Sequence, residues 1–182
     1  MSTTTHTSEY RVSDDTQESI VTRPSVRKVL AISRVVIGFT FLWAFLDKLF
    51  GLGHETTVAK SWLNGGSPTK GFLGSSKGPF ADFFHSIAGN GVVDVLFMAA
   101  MLALGVALIL GIGMRIAAAV GALVTVLMWA AVLPPANNPF MDDHLVYAGV
   151  LVALAGLSAG NTLGLGRIWT ATPLVRRAPW LA

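Results

Sequence analysis

Four apolar runs separated by polar segments organise this chain: residues 29–50, 92–112, 116–133 and 145–159. None alternates with a period of two, and all are rich in Ala, Leu and Gly, which argues for helices rather than the strands of a barrel. At 1.5 Å per residue the first run reaches roughly 33 Å as a helix, enough to cross a hydrocarbon layer about 30 Å thick. The third closes at Pro134-Pro135, and the fourth is short and starts at a polar boundary. The expected fold is an all-α integral membrane protein, a bundle of four transmembrane helices.

The polar segment between the first two runs is too long for a turn. Within it Phe80, Phe83, Phe84 and Ile87 fall at i, i+3, i+4 and i+7, which predicts a short helix with one apolar face, lying in the membrane interface or capping the bundle. Residues 56–63 are expected to form another turn or two, with Trp62 as an interfacial anchor. The Gly-rich pieces 64–68 and 74–78 read as flexible; the second lacks the strand and lysine spacing of a phosphate loop. Glycines also recur in the later runs, and Gly156 and Gly160 form a GxxxG pair. Such residues let helices approach closely, within one subunit or in a homo-oligomer.

Composition strengthens the membrane reading. Of 182 residues, 53% are hydrophobic and 13% charged, against about a quarter charged in soluble domains; mean hydropathy is +0.62. Cysteine is absent, which excludes disulfides, thiolate metal sites, CxxC redox chemistry and covalent c-type haem within this subunit. No flavin motif or mid-membrane histidine pair suggests another bound redox group. The net charge of +3 does not indicate nucleic acid, because the basic residues sit at the ends of apolar runs. Arg11, Arg23, Arg27 and Lys28 precede the first run, Arg115 lies between the second and third, and Arg167, Arg176 and Arg177 follow the fourth, whereas the link 134–144 holds no Lys or Arg. The positive-inside rule then puts both termini in the cytoplasm of a bacterial-type plasma membrane. Residues 1–25 are expected to be a disordered cytoplasmic tail, 26–168 the membrane domain and 169–182 a cytoplasmic C-terminal tail.

Ionisable residues at a membrane boundary are costly and therefore candidates for function. Asp142, Asp143 and His144 open the fourth run. An aspartate there caps free N–H groups and complements the helix dipole; a histidine beside a carboxylate can also exchange protons near neutral pH. Asp47-Lys48 ends the first run, either as an interfacial pair or as a proton acceptor with an anion contact. Arg34 lies about two turns into the same run. It is expected to snorkel to headgroups, to pair within the bundle, or to hold a quinone carbonyl; Asp47, about 20 Å along the helix, is out of its reach. Asn137-Asn138-Pro139 is turn chemistry whose amides can also donate to an oxyanion. Trp43, Trp129 and Tyr147 read as packing or interface residues, or as walls of a quinone pocket.

Three stretches resemble the DoxX/DoxD membrane family, which includes the large subunit of thiosulfate:quinone oxidoreductase. They are Arg34 with Gly38-Phe39-Thr40-Phe41-Leu42 and Asp47-Lys48-Leu49-Phe50-Gly51; Gly105 to Gly111 with Met114-Arg115-Ile116-Ala117-Ala118; and Asn137-Asn138-Pro139 with Asp142-Asp143-His144-Leu145-Val146-Tyr147-Ala148. The resemblance covers residues 29–167 and implies a four-helix bundle. It further implies oxidation of thiosulfate to tetrathionate, with membrane quinone as electron acceptor and a small partner subunit. On that reading Asp47, Asp143 and His144 are the candidate catalytic residues; Lys48, Asn137, Asn138, Arg34, Trp43 and Tyr147 are candidate substrate contacts. The rival expectation is a non-catalytic membrane anchor or assembly factor for soluble redox or stress enzymes.

Overall fold

The computed structural model describes residues 17–182, which form helices α1 (Gln17–Ile20), α2 (Pro24–Phe50), α3 (Lys70–Gly74), α4 (Ala81–Ile87), α5 (Gly91–Leu110), α6 (Met114–Val132), α7 (Asp143–Gly156), α8 (Gly166–Thr170) and α9 (Pro173–Arg177). Short 3-10 turns lie between them, and there is no strand among the described residues. Three helices, α2, α5 and α6, are long and apolar enough to cross a membrane. Val36, Phe39, Leu96, Leu123 and other large apolar side chains on them face outward. A water-soluble monomer does not display apolar surface on that scale, so the chain is a multi-pass membrane protein.

Local chemistry sets the helix ends. Pro24 stands at the start of α2, where its fixed φ suits a helix and no N–H is missed. The helix then begins before the apolar run, because hydropathy marks the lipid-facing stretch and not the hydrogen-bonded one. Gly51 closes it in the left-handed region at φ 70°, its N–H bonded to Asp47 O. A Cβ on Gly51 would fall 2.6 Å from Thr57 O, so the returning loop also requires glycine. Asn90 caps α5 by accepting from the N–H groups of Val92 and Val93. At 14 residues α7 is about 21 Å long and stops before the predicted end of its run. The stop comes at Ser158, which turns to φ 48° and leads into a 3-10 turn over Ala159–Asn161.

The long helices pack as α2 on α5, α5 on α6 and α6 on α7. Glycine makes the first contact close. A Cβ on Gly105 would lie 2.8 Å from Leu42 N, and one on Gly38 would lie 2.8 Å from Leu108 Cβ. Phe41, Met101, Leu104, Leu108, Leu151 and Leu154 fill the centre. The GxxxG pair does not join two helices within the subunit: Gly156 has open space where a Cβ would be, and Gly160, beyond the end of α7, packs on Gly111 instead.

The expected tails are partly structured. Residues up to 16 lie outside the described part, but Gln17 is buried and its Oε1 accepts from Thr162 Oγ1 at 2.6 Å. Glu18 pairs with Arg27 and Arg167. At the other terminus Trp169 Nε1 donates to Leu181 O at 2.7 Å, and Ala182 O accepts from Arg115 N at 2.8 Å. The segment 169–182 is thus folded back onto the α5–α6 link. The predicted short helix is present as α4, with a divided face: Phe84 is buried with Leu73 and Ala131, while Phe80 and Phe83 are exposed.

Candidate functional site

The two ends of the bundle differ in charge. Arg23, Arg27, Lys28, Arg34, Arg115, Arg167, Arg176 and Arg177 lie towards one end, where Glu18 is the only carboxylate side chain among the described residues. The opposite end carries Asp47, Glu55, Asp82, Asp94, Asp142 and Asp143 with four lysines. This acidic end gathers nearly all the candidate site residues.

Helix lengths make the acidic end a step rather than a flat rim. Leu104, Gly121 and Leu151 share one level, since a Cβ on Gly121 would meet Leu151 Cδ1 at 2.6 Å and Leu104 Cδ2 at 3.1 Å. Above that level α5 runs about 20 Å and α6 about 17 Å, but α7 only about 12 Å. Leu42 of α2 lies level with Gly105, and α2 ends about 12 Å higher. The ends of α2 and α7 therefore form a shelf roughly 5–9 Å below the tops of α5 and α6, and Asp47 and His144 lie at or beneath it, at heights within one helical turn of each other. The segment 51–90 fills the step, with Leu73 and Phe84 packed on Ala131 and the Phe72 ring 6.3 Å from that of His144.

Asp142, not Asp143, is the partner of His144. Asp142 Oδ2 lies 2.6 Å from His144 Nδ1, and its Oδ1 accepts from Leu145 N at 3.3 Å as the α7 cap. Asp143 Oδ1 is 3.5 Å from the same nitrogen, with its side chain 73% exposed against 12% for Asp142. One carboxylate thus both caps the helix and fixes the ring. The ligating atoms of all three residues lie within 4.8 Å of one another. Both Asp142 oxygens are already engaged, so the arrangement is a hydrogen-bonded dyad with a peripheral carboxylate. Tyr147, one turn on, lies tilted against Phe41 with ring centroids 6.3 Å apart, so an aromatic pair lies one turn along α7 from the dyad.

Asp47 does not pair with Lys48. It is buried, and its carboxylate accepts backbone N–H bonds from His54, Glu55 and Thr56 at 3.3, 3.1 and 2.9 Å. Lys48 faces Glu55 at 3.5 Å. Trp43 lies edge-on to His54 at 5.0 Å, below the same loop. Asn138 Oδ1 accepts from the N–H groups of Phe140 and Met141 at 2.9 and 2.8 Å, which is turn chemistry. Trp129 Nε1 ties the turn down through Phe140 O at 2.8 Å. Asn137 and Asn138 are on this turn, while Lys48 is held at the α2 loop.

Arg34 is far from this shelf and does not snorkel. It is 0% exposed, and its guanidinium donates to Leu108 O, to Ile109 O at 2.9 Å and to Leu163 O at 2.9 Å. Those bonds complete the end of α5. Of its last four carbonyls, Ala107 O accepts from the N–H groups of Gly111 and Ile112, Leu110 O from Leu165 N, and the two between from Arg34. A cation on one helix thus caps the negative end of another. Gly111 and Gly164 leave the space: a Cβ on either would come within 2.9 Å of the guanidinium.

The sequence reading overlooked Asp94. It sits one turn into α5, buried, and its Oδ1 accepts from Ser67 Oγ at 2.9 Å, Thr69 N at 3.2 Å and Thr69 Oγ1 at 2.5 Å. The signal was a lone carboxylate inside an apolar run, which needs buried partners. Of these partners Ser67 lies in the piece 64–68 expected to be flexible and Thr69 just beyond it, so the carboxylate anchors the segment covering the shelf.

In comparisons with known proteins, no family model matches this chain, and no curated protein or solved structure shows significant similarity.

Proposed function

We propose that this protein is a membrane subunit of the DoxX/DoxD type that handles protons for quinone chemistry at its acidic end. The reading takes α7 as a fourth, short span and both termini as cytoplasmic in a bacterial-type plasma membrane, supported by the basic residues gathered at one end. The observation that carries it is the Asp142–His144 contact of 2.6 Å, recessed at the shelf one turn along α7 from Tyr147. A carboxylate on Nδ1 fixes the ring so that Nε2 can receive or deliver a proton. In the proposed reaction two thiosulfate ions join through a new S–S bond to form tetrathionate and release two electrons. Quinone takes those electrons with two protons to become quinol. His144 passes protons, and the proposed ring contact for quinone is Tyr147, beside Phe41. Lys48, Asn137 and Asn138 are the proposed anion contacts; an anion at Lys48 has to displace the exposed Glu55 carboxylate.

The test is thiosulfate-dependent quinone reduction by the purified protein, with and without its co-purifying partners. His144→Ala is expected to remove most of the activity while leaving the protein folded. Wild-type rates in that variant, or no activity in either preparation, refute the reading. A second reading, a non-catalytic anchor for soluble redox or stress enzymes, is favoured by one specific observation. Arg34, Asp47 and Asp94, the buried charges of the bundle, all bond to the protein's own backbone or hydroxyl groups. A stoichiometric partner retained without quinone-reducing activity would establish it.

A further inference from the structure

We propose that the basic end of the bundle binds an anionic phospholipid, its headgroup at Arg115 and one acyl chain between α5 and α6. This is independent of the chemistry at the acidic end. Two adjoining clefts carry the inference. One, of about 200 Å³, mixes polar and apolar walls: Arg115, Ser158, Asn161 and Thr170 border it together with Met114 and Ala155. The other, of about 240 Å³, is an apolar groove between α5 and α6, lined by Ala103, Leu104, Ala107, Ile116, Ala117 and Val120. Gly113 and Trp169 line both. The two spaces thus meet as a headgroup and a chain do in an amphiphile.

The sequence explains why both spaces are open. Gly111 and Gly113 turn the α5–α6 link at φ 72° and 58°, leaving the link without bulk at these positions. Alanines at 103, 107 and 117 keep the groove shallow-walled where leucine would fill it. The Trp169 indole is fixed at the junction by its bond to Leu181 O. The first cleft also has donors to give. Arg115 uses Nη1 on Pro179 O at 3.2 Å, and a guanidinium carries five N–H donors. The side chains of Ser158 and Asn161 make no hydrogen bond among the described residues. Charge selects the occupant: among the described residues this end holds eight Lys and Arg side chains, Arg34 alone of them buried, against Glu18, and basic pockets between membrane helices take anionic headgroups. Free phosphate would use only the first cleft, whereas a lipid uses both.

The test is native mass spectrometry of the detergent-purified full chain offered phosphatidylglycerol or phosphatidylcholine, with inorganic phosphate as a third arm in thermal unfolding. Expected are preferential retention of phosphatidylglycerol and a rise in unfolding temperature that phosphate alone does not reproduce. Arg115→Gln should weaken retention about fivefold. Ala103→Phe, on an exposed lipid-facing position, should obstruct the groove and lower retention while the protein still folds. Equal retention of the two lipids, full stabilisation by phosphate, or wild-type lipid preference in either variant overturns the proposal.

Discussion

Replacing Arg34 with methionine tests the most unusual contact in the bundle. The change keeps an unbranched chain, removes the charge, and leaves the carbonyls of Leu108, Ile109 and Leu163 without their donor. Hydrogen bonds between membrane helices average about 0.6 kcal/mol each, so three set a floor near 2 kcal/mol. Removing one partner of a buried charged network costs about 3–5 kcal/mol, and relief from burying an ion offsets part of that. The expected loss is about 3 kcal/mol, a factor of roughly 10² in the folding equilibrium. Arg34→Lys keeps the charge but offers a point donor instead of a planar fork, so about half of the loss should return. Unfolding of the purified protein by SDS titration in mixed micelles, followed by circular dichroism, measures the difference. Hydrogen exchange should rise at residues 108–112 and 160–165, where the cap sits, before it rises elsewhere. A methionine variant within about 0.5 kcal/mol of wild type, with unchanged exchange there, would refute the assignment of Arg34 as a helix cap, since losing even a single neutral side-chain cap to alanine typically costs about 1 kcal/mol.

Three further outcomes are expected. Asp94→Ala strands Ser67 and Thr69 and should cost about 2–3 kcal/mol; limited proteolysis should then cut within 64–78, and an uncut segment in the variant would contradict the anchoring role. Gly105→Val drives a Cβ into the Leu42 backbone at 2.8 Å, where no side chain can yield. It should lower stability by about 3 kcal/mol, and an unchanged SDS midpoint would show that α2 and α5 are not held at this distance. Asp142→Asn keeps the helix cap, because asparagine caps as well as aspartate, but loses the carboxylate on His144; quinone-reducing activity should fall at least tenfold. Asp143→Asn, at an exposed side chain, should leave that activity within twofold, and equal effects of the two changes would dissolve the dyad.

Which parts of this structure were legible in the sequence follows from the range of the interactions. Long apolar runs reveal helices because lipid exposure acts on every residue of a run, so both ends of α5 and α6 were readable to within two positions and so was the C-terminal end of α2, whose start lies five residues before its run. The end of α7 was not, because Ser158 leaves the helix through a left-handed backbone that hydropathy does not record. The polar cluster at 142–144 was visible, yet the choice of Asp142 over Asp143 depends on which carboxylate the cap turns inward. Arg34 was visible as an anomaly, but its partners lie 74, 75 and 129 residues away and are carbonyls, which every residue has. No side-chain pattern can point to them. Asp47 shows the same blindness at short range: the neighbour in sequence, Lys48, looked like its partner, and the backbone of the following loop took that place.

The seat of Arg34 also bears on how the protein is made. Helix α2 carries a guanidinium whose three acceptors are made 74, 75 and 129 residues later in the chain. Until α5 is in place and the chain has grown past Leu163, that cation has no seat within the protein and is better kept towards the headgroups or the insertion machinery. Helix α2 is therefore expected to settle to its final depth only after residue 163 has been made. A truncated nascent chain would hold that helix displaced towards its basic flank, and arrival of the 160–165 loop would draw it in. For this bundle, a loop made late fixes a helix made early.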